Sequence, residues 1–353
     1  MKKSIIFILP DLETGGAERI VTTIANHLPR DKFSPAILLL RKEGGYLDLL
    51  KSDVGIIDIQ TPRIRHSLKP ILLEIKRRKP DIVFSGFGEV NAYLSLFIKL
   101  FPNTKFIARE TNVVSQHVTR KEIRFFYKFY NNYSRIIAQS NDMEIDLIKN
   151  FGIKKNKLIK INNPVDINFI EEKLAESERP VEFSHQHKNV VAIGNLSARK
   201  GFDNLLKVFT RLKNQNILLH ILGDGKDKEM LLQMKEILGL DHVIFHGKKS
   251  NPYPYIKGCD LYIQPSRYEG KAVTVREAQI LHKPVVITNF ATSASQLQDG
   301  YDGIIVPMKN EECAMKIVEL LKDEKRMNQL IDNTYKNDYS NRQELEKLYA
   351  LIK

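Results

Sequence analysis

The sequence predicts an α/β protein built as two doubly wound, parallel-sheet domains in series. The chain has 353 residues, more than the roughly 100–200 of one domain. Short β-branched runs alternate with longer segments of helical period, as a parallel sheet with helices on both faces requires. The alternation lapses after residue 165 and then restarts.

In the first half, "SIIFILP" (4–10), "SPAILLL" (34–40), "VGIIDIQ" (54–60), "DIVFSG" (81–86), "KFIARE" (105–110) and "RIIAQS" (135–140) read as buried strands. Helices are expected at 16–28, 68–78, 89–100 and 119–133. "IKINNPVD" (159–166), where Pro164 ends a strand, closes an N-terminal domain over 1–165, and the polar stretch 166–188 reads as a linker. Strands resume with "VVAIGNL" (190–196), "ILLHILGDG" (217–225), "HVIFHG" (242–247), "DLYIQPS" (260–266), "KPVVIT" (283–288) and "GIIVP" (303–307). Helices follow at 201–213, 227–238, 273–282 and 311–322, giving a second domain over 189–330, and 324–353 reads as polar helix. Ligands in such sheets bind beyond the carboxyl ends of the strands, so the cleft between two domains is the expected site.

Composition narrows the class. With 42% hydrophobic and 27% charged residues, the chain reads as a soluble globular protein. It has no apolar run of ~18 residues to span a membrane. The start, "MKKSIIFILPDLETGG", mimics a signal peptide but runs into Asp11 and Glu13 without a small-residue cleavage site, so a buried strand is expected. Cys259 and Cys313 show no metal-ligand or disulfide pattern and read as buried thiols in a reducing cytoplasm. Net charge is +13, and residues 1–165 hold 28 Lys and Arg against 16 Asp and Glu. The remainder holds 27 against 26. Generic solubility charge would be spread evenly; this asymmetry points to an anionic partner of the first half: nucleic acid, lipid headgroups or a phosphorylated substrate.

Several loops carry candidate chemistry. Gly15 and Gly16 stand between the first strand and its helix, either as a tight turn or as a loop letting a ligand approach the backbone. Neither GxGxxG nor GxxxxGK[ST] is present, which disfavours dinucleotide and P-loop readings. "IGNLSARKGFDNLL" (193–206) places Arg199 and Lys200 before Gly201, as diphosphate ligands or as a solvated pair. Positive charge is disfavoured at a helix start, which weighs against the solvated pair. Gly223 in "ILGDGKD" opens a turn that is either a plain strand-to-helix connection or a place where a base can lie against the backbone.

In "SRYEGKAVTVREA" (266–278), Gly270 and the helix start at Lys271, Ala272 and Val273 offer amides to a phosphate. Glu277 lies about two turns in, at ~1.5 Å per residue, within reach of ribose hydroxyls, and Glu269 precedes the helix on the sugar side. Carboxylates eight apart are also common on ordinary helices. No DxD follows a strand and the histidines form no HxxxH, so no metal site is expected. "SHQH" (184–187) reads as solvated, and no GxSxG or Cys–His pattern suggests an acyl enzyme. "TRKEIRFFYKFYNNYSR" (119–135) mixes aromatics with Arg120, Lys121, Arg124 and Lys128; it is either packed on both faces or laid on a membrane or lipid acceptor. Basic plus aromatic also suits single-stranded nucleic acid, but no RNA-binding or helix-turn-helix signature accompanies it, so no nucleic-acid partner is expected.

"GGAERIV", "NNPVD", "GNLSARKGFDNLL", "LGDGKDKEML", the run from "FHGKKSNPYPYIKGCD" to "HKPVVIT", and "DGYDGIIVP" together resemble the retaining glycosyltransferases of family 4, in family order and over nearly the whole chain. Bacterial surface-polysaccharide enzymes are the most similar members. The resemblance implies a GT-B fold, two Rossmann-like domains facing across a cleft, with the C-terminal helix (331–353) crossing back to the first. It implies a nucleotide-sugar donor, UDP first, in the second domain, with Lys200 on the diphosphate, Glu269 by the sugar, Glu277 on the ribose and Gly16 reaching the donor phosphates. It also implies a glycan or polyprenyl-diphosphate acceptor at the first domain, near Arg109 and Glu110, and a cytoplasmic enzyme peripheral to the inner membrane face. No cofactor and no metal are implied, since cations and helix N-termini neutralise the leaving diphosphate. The transfer implied is front-face, the departing phosphate taking the acceptor proton. Three positions depart from the pattern: Asn195 stands where the family has arginine, with Arg199 as a substitute cation; "ARETN" replaces the usual histidine; and "ATSAS" (291–295) replaces GGxxE. A non-catalytic scaffold and a sugar-nucleotide epimerase are the rival readings.

Overall fold

The computed structural model describes residues 2–13, 15–183, 186–339 and 342–353, so Ser184 and His185 of the "SHQH" stretch lie outside the described residues. The chain divides into two compact units, one comprising 1–164 with 341–353, the other 165–340.

The N-terminal unit holds a seven-stranded sheet, wholly parallel: β1 (Lys3–Leu9), β2 (Phe33–Leu39), β3 (Gly55–Asp58), β4 (Ile82–Ser85), β5 (Lys105–Arg109), β6 (Arg135–Ala138) and β7 (Leu158–Lys160). Its order, β3-β2-β1-β4-β5-β6-β7, reverses direction between β1 and β4. Ile5 through Leu9 are all buried, as a strand covered on both faces demands.

The C-terminal unit has β8 (Lys188–Ile193), β9 (Ile217–Leu222), β10 (Val243–Gly247), β11 (Leu261–Gln264), β12 (Val285–Thr288) and β13 (Ile304–Val306). They form a six-stranded parallel sheet in the order β10-β9-β8-β11-β12-β13, which reverses between β8 and β11. Each unit is a doubly wound Rossmann-like sheet. Among the described residues no helix is long and apolar enough to cross a membrane.

Three expectations need correction. The stretch 166–188 is not a bare linker: helix Ile167–Ala175 lies within it, capped by Asp166, whose Oδ1 accepts from Phe169 N at 3.1 Å. Ile170 and Phe183 are buried in one cluster with Tyr253, Tyr255 and Ile256, so a few apolar side chains fold a polar segment onto the second unit. The expected helix 119–133 is broken into Lys121–Phe126 and a 3₁₀ segment, Tyr127–Asn132, with a separate short helix, Val114–His117, before it. A 3₁₀ turn has three residues, so Tyr127, Tyr130 and Tyr133 fall in one line and bury together. The Tyr127 and Tyr130 rings stack at 4.2 Å. Finally, the polar C-terminal stretch forms two helices. Glu324–Tyr335 stays with the second unit, while Arg342–Ile352 packs with the first. There Lys105 Nζ donates to Leu351 O at 2.5 Å, Asn162 N to Glu344 Oε2 at 2.8 Å, and Tyr349 OH to His27 O at 2.7 Å.

Candidate functional site

Loops leaving β8, β9 and β11 meet at the reversal point of the C-terminal sheet, and two glycines let them touch. Gly223 has φ +151, and a Cβ there would lie 1.9 Å from Gly194 O; Gly201 has φ +68, and its Cβ would lie 2.1 Å from Pro265 O. Arg267 fastens the contact. It pairs with Asp203 at 2.6 and 2.8 Å, donates from Nη1 to Ala198 O at 2.5 Å, and its amide donates to Arg199 O at 2.8 Å.

This packing presents Glu269, which is buried. Lys200 Nζ lies 2.5 Å from its Oε1, Arg199 Nη1 3.4 Å from its Oε2, and Ser266 Oγ donates to Oε1 at 2.8 Å. Burial alone would raise the carboxyl's pKa. Lys200 and Arg199 outweigh it, with hydrogen bonds from Lys200 and Ser266, and hold it below the ordinary carboxylate value. Ser266 is itself positioned by Gln264 Nε2 at 2.8 Å.

Glu277 is fully buried on helix Val273–Ile280, with Tyr253 OH 3.4 Å from its Oε1. Burial raises the Tyr262 phenol, opposed by a hydrogen bond with Thr274 and reinforced by the charges of Glu277 and Glu269. The helix start is clasped by residues the sequence did not single out. Gln296 accepts from Ala272 N at 2.9 Å and donates to Gly270 O at 3.1 Å. Thr292 Oγ1 donates to Glu269 O at 2.8 Å, and Lys271 Nζ to Ser295 O at 2.8 Å. The altered "ATSAS" loop therefore supports the Glu269 loop. Only its departure from the family pattern marked it in the sequence. Asn195 stands exposed at the start of the β8 loop.

In the N-terminal unit, the residues expected near an acceptor separate into two groups. Arg109 and Glu110 are buried at the end of β5. Arg109 Nη2 donates to Asn163 Oδ1, and Asn91 Nδ2 to Glu110 Oε1 at 3.2 Å, with the Tyr130 hydroxyl donating to the same oxygen. Burial raises Glu110 against these bonds and lowers Arg109 to about 10. Arg120, Lys121, Arg124 and Lys128 lie on the surface instead. Arg120 pairs with Glu89 at 2.6 Å; Arg124 lies over the Phe151 ring at 4.7 Å, and Lys128 over Phe125 at 5.3 Å. Gly15 caps helix Gly16–His27 with Gly16 exposed at its start. Glu18, unmarked in the sequence, curls back over Gly15.

Set beside known proteins, residues 175–337 match the family described as glycosyl transferases group 1, and residues 14–169 match glycosyltransferase family 4. The N-acetylgalactosamine-N,N'-diacetylbacillosaminyl-diphospho-undecaprenol 4-alpha-N-acetylgalactosaminyltransferase of Campylobacter jejuni is 27% identical, over 96% of this chain and 93% of its own. The lipopolysaccharide core biosynthesis glycosyltransferase LpsE of Rhizobium meliloti is 23% identical, over 86% and 85%. The crystal structure of Anabaena Alr3699/HepE in complex with UDP and glucose shares the GT-B fold, with TM-score 0.85 at 18% identity over 99% of this chain and 98% of that one.

Proposed function

Since this chain belongs to the group 1 glycosyltransferases of family 4, we propose that it moves a hexose or N-acetylhexosamine, with retention, from a UDP-sugar to a polyprenyl-diphosphate-linked glycan in bacterial surface-polysaccharide synthesis. The observation that carries this reading is the buried Glu269, gripped by Lys200 and Arg199 where the C-terminal sheet reverses. A carboxylate held ionised beside two cations suits a donor of mixed charge. Lys200, Arg199 and the amides at Gly270–Val273 take the diphosphate, Glu277 takes the ribose, and Glu269 stands by the anomeric centre, where positive charge develops. The departing phosphate removes the acceptor proton, so Glu269 orients and stabilises rather than attacks. The same cations carry the charge of the leaving group without a metal.

The acceptor reading draws on the diphospho-undecaprenol substrate in the name of the Campylobacter relative and on the basic first half. Phe125, half exposed among Lys121, Arg124 and Lys128, suits peripheral attachment to the inner face of the cytoplasmic membrane.

A thermal-shift panel of nucleotide-sugars tests the donor. At ~100 times its dissociation constant the correct donor stabilises by about 2.7 kcal/mol. Glu277→Ala abolishes that shift while the ligand-free melt stays cooperative. A panel in which no nucleotide-sugar stabilises the wild-type protein refutes the reading.

A further inference from the structure

Strand β11 is apolar as far as Ile263 and then ends in Gln264, a primary amide inside a sheet covered on both faces. Tyr262 and Gln264, two residues apart, share one face of the strand, and Ser266 follows in line just beyond its end. All three are fully buried. Burying an amide is costly unless its polar atoms find partners. Here Tyr262 OH donates to Gln264 Oε1 at 2.8 Å, and Thr274 Oγ1, from helix Val273–Ile280, donates to the same oxygen at 3.1 Å. Gln264 Nε2 donates to Ser266 Oγ at 2.8 Å, and Ser266 Oγ donates to Glu269 Oε1 at 2.8 Å. From β12, Thr288 Oγ1 donates to Ser266 O at 2.5 Å and fixes the backbone where the chain leaves the strand.

The sense of this chain of hydrogen bonds is dictated from its far end. Glu269, with Lys200 at 2.5 Å and Arg199 at 3.4 Å, is a carboxylate that only accepts. The single Ser266 proton therefore goes to Glu269, and the Ser266 oxygen is left to accept. Gln264 Nε2 is the donor that meets it, which turns the amide oxygen toward the Tyr262 and Thr274 hydroxyls. With the amide rotated by half a turn, its oxygen would draw the Ser266 proton away from Glu269. A serine hydroxyl alone rotates to suit whatever surrounds it, so the amide supplies the direction that the hydroxyl lacks.

We propose that Gln264 is a positioning residue of the sugar transfer: held in one sense by Tyr262 and Thr274, it locks the Ser266 hydroxyl onto Glu269 and so keeps that carboxylate aimed in one direction while the donor enters and reacts. The proposal rests on the transferase reading for what Glu269 does to the sugar. The aiming itself belongs to the ligand-free fold.

NMR of the full, ligand-free chain, labelled in its glutamate carboxyl carbons, reads the Glu269 resonance, identified by its loss in Glu269→Gln. Gln264→Met and Ser266→Ala each move that resonance in the same direction. Gln264→Met moves it no further in a chain that already carries Ser266→Ala, because the amide acts through the hydroxyl. Initial rates, with the nucleotide-sugar that stabilises the protein in the thermal-shift panel, follow the same pattern. Each substitution lowers kcat about tenfold and leaves KM for the donor within about threefold, and the pair lowers kcat no more than Ser266→Ala alone. A Gln264 that only knits strand to helix would cost the same with or without the Ser266 hydroxyl, and such additivity overturns the proposal. An unmoved resonance in folded Gln264→Met overturns it too. Should Gln264→Met fail to fold, Ser266→Ala decides: a moved resonance upholds the proposal and an unmoved one overturns it. Turnover of no nucleotide-sugar defeats the transferase reading and leaves the resonance result standing, so the two fail separately.

Discussion

Lys200 Nζ lies 2.5 Å from a Glu269 oxygen that also accepts from Ser266, so the Glu269 side chain is aimed before any ligand enters. Replacing it by glutamine keeps the shape and removes the charge. Glu269→Gln lowers kcat on the order of 10²–10³-fold, with a smaller change in KM for the donor, as initial-rate kinetics will read. Equal kcat in the variant would remove Glu269 from the chemistry. Lys200 and Glu269 were singled out in the sequence because their motifs stand in family order. Ser266, Thr292 and Gln296 were not: short polar side chains carry no periodicity, and their partners are set by which loops the glycines bring together. Glu18 was hidden likewise, inside a motif read for its glycines.

Strands β9 and β10 carry a paired histidine array away from those loops. His220 Nε2 donates to Asn189 Oδ1 at 3.1 Å, its Nδ1 accepts from His246 Nε2 at 3.0 Å, and the rings stack at 5.2 Å. Burial, reinforced by His246, pushes fully buried His220 down to about 4 and lowers His246 as well. Between that value and the ordinary ~6.5, the unfolded chain binds the proton that the folded one refuses. The stability His220 contributes is therefore complete above about pH 6.5 and drains away as pH falls toward 4, by roughly 3 kcal/mol. Urea unfolding at about pH 7 and about pH 5 will show the loss, and His220→Leu will flatten it. A parallel fall in the variant would assign the acid sensitivity elsewhere. At this scale the sequence was read well where an element is an apolar run: each expected strand is present within a few residues. It was read poorly at 119–133, because seven aromatic and aliphatic side chains satisfy an α-helical and a 3₁₀ pattern equally. Burial of Tyr127, Tyr130 and Tyr133 against Asn91 and Glu110, fixed by the fold, decides between them.

Across the whole molecule, the positive charge concentrated in residues 1–165 is exposed along helix Ile64–Arg78 and around Lys121–Phe126. Anionic vesicles bind such a surface at about 1 kcal/mol per Lys or Arg, less as salt rises. Neutralising the Lys and Arg of 63–79 and 120–128 abolishes vesicle co-sedimentation; undiminished binding would place the membrane contact on other residues. Domain number and the half carrying the charge were legible from length and composition, but helix Ile167–Ala175 was not, because it hides in a polar stretch read as a linker. Nor was the parting of the two C-terminal helices. Leu348 and Ile352 of helix Arg342–Ile352 are buried in the first unit, yet the second lies between them and β7 in the chain. On the ribosome the order of synthesis and the order of completion are thus inverted. At ~5–20 residues per second the nascent first unit waits roughly 10–35 s, uncapped at β5 and β7, while roughly 180 residues of the second are made. During that interval the exposed surface beneath Leu348 and Ile352 is open to chaperones.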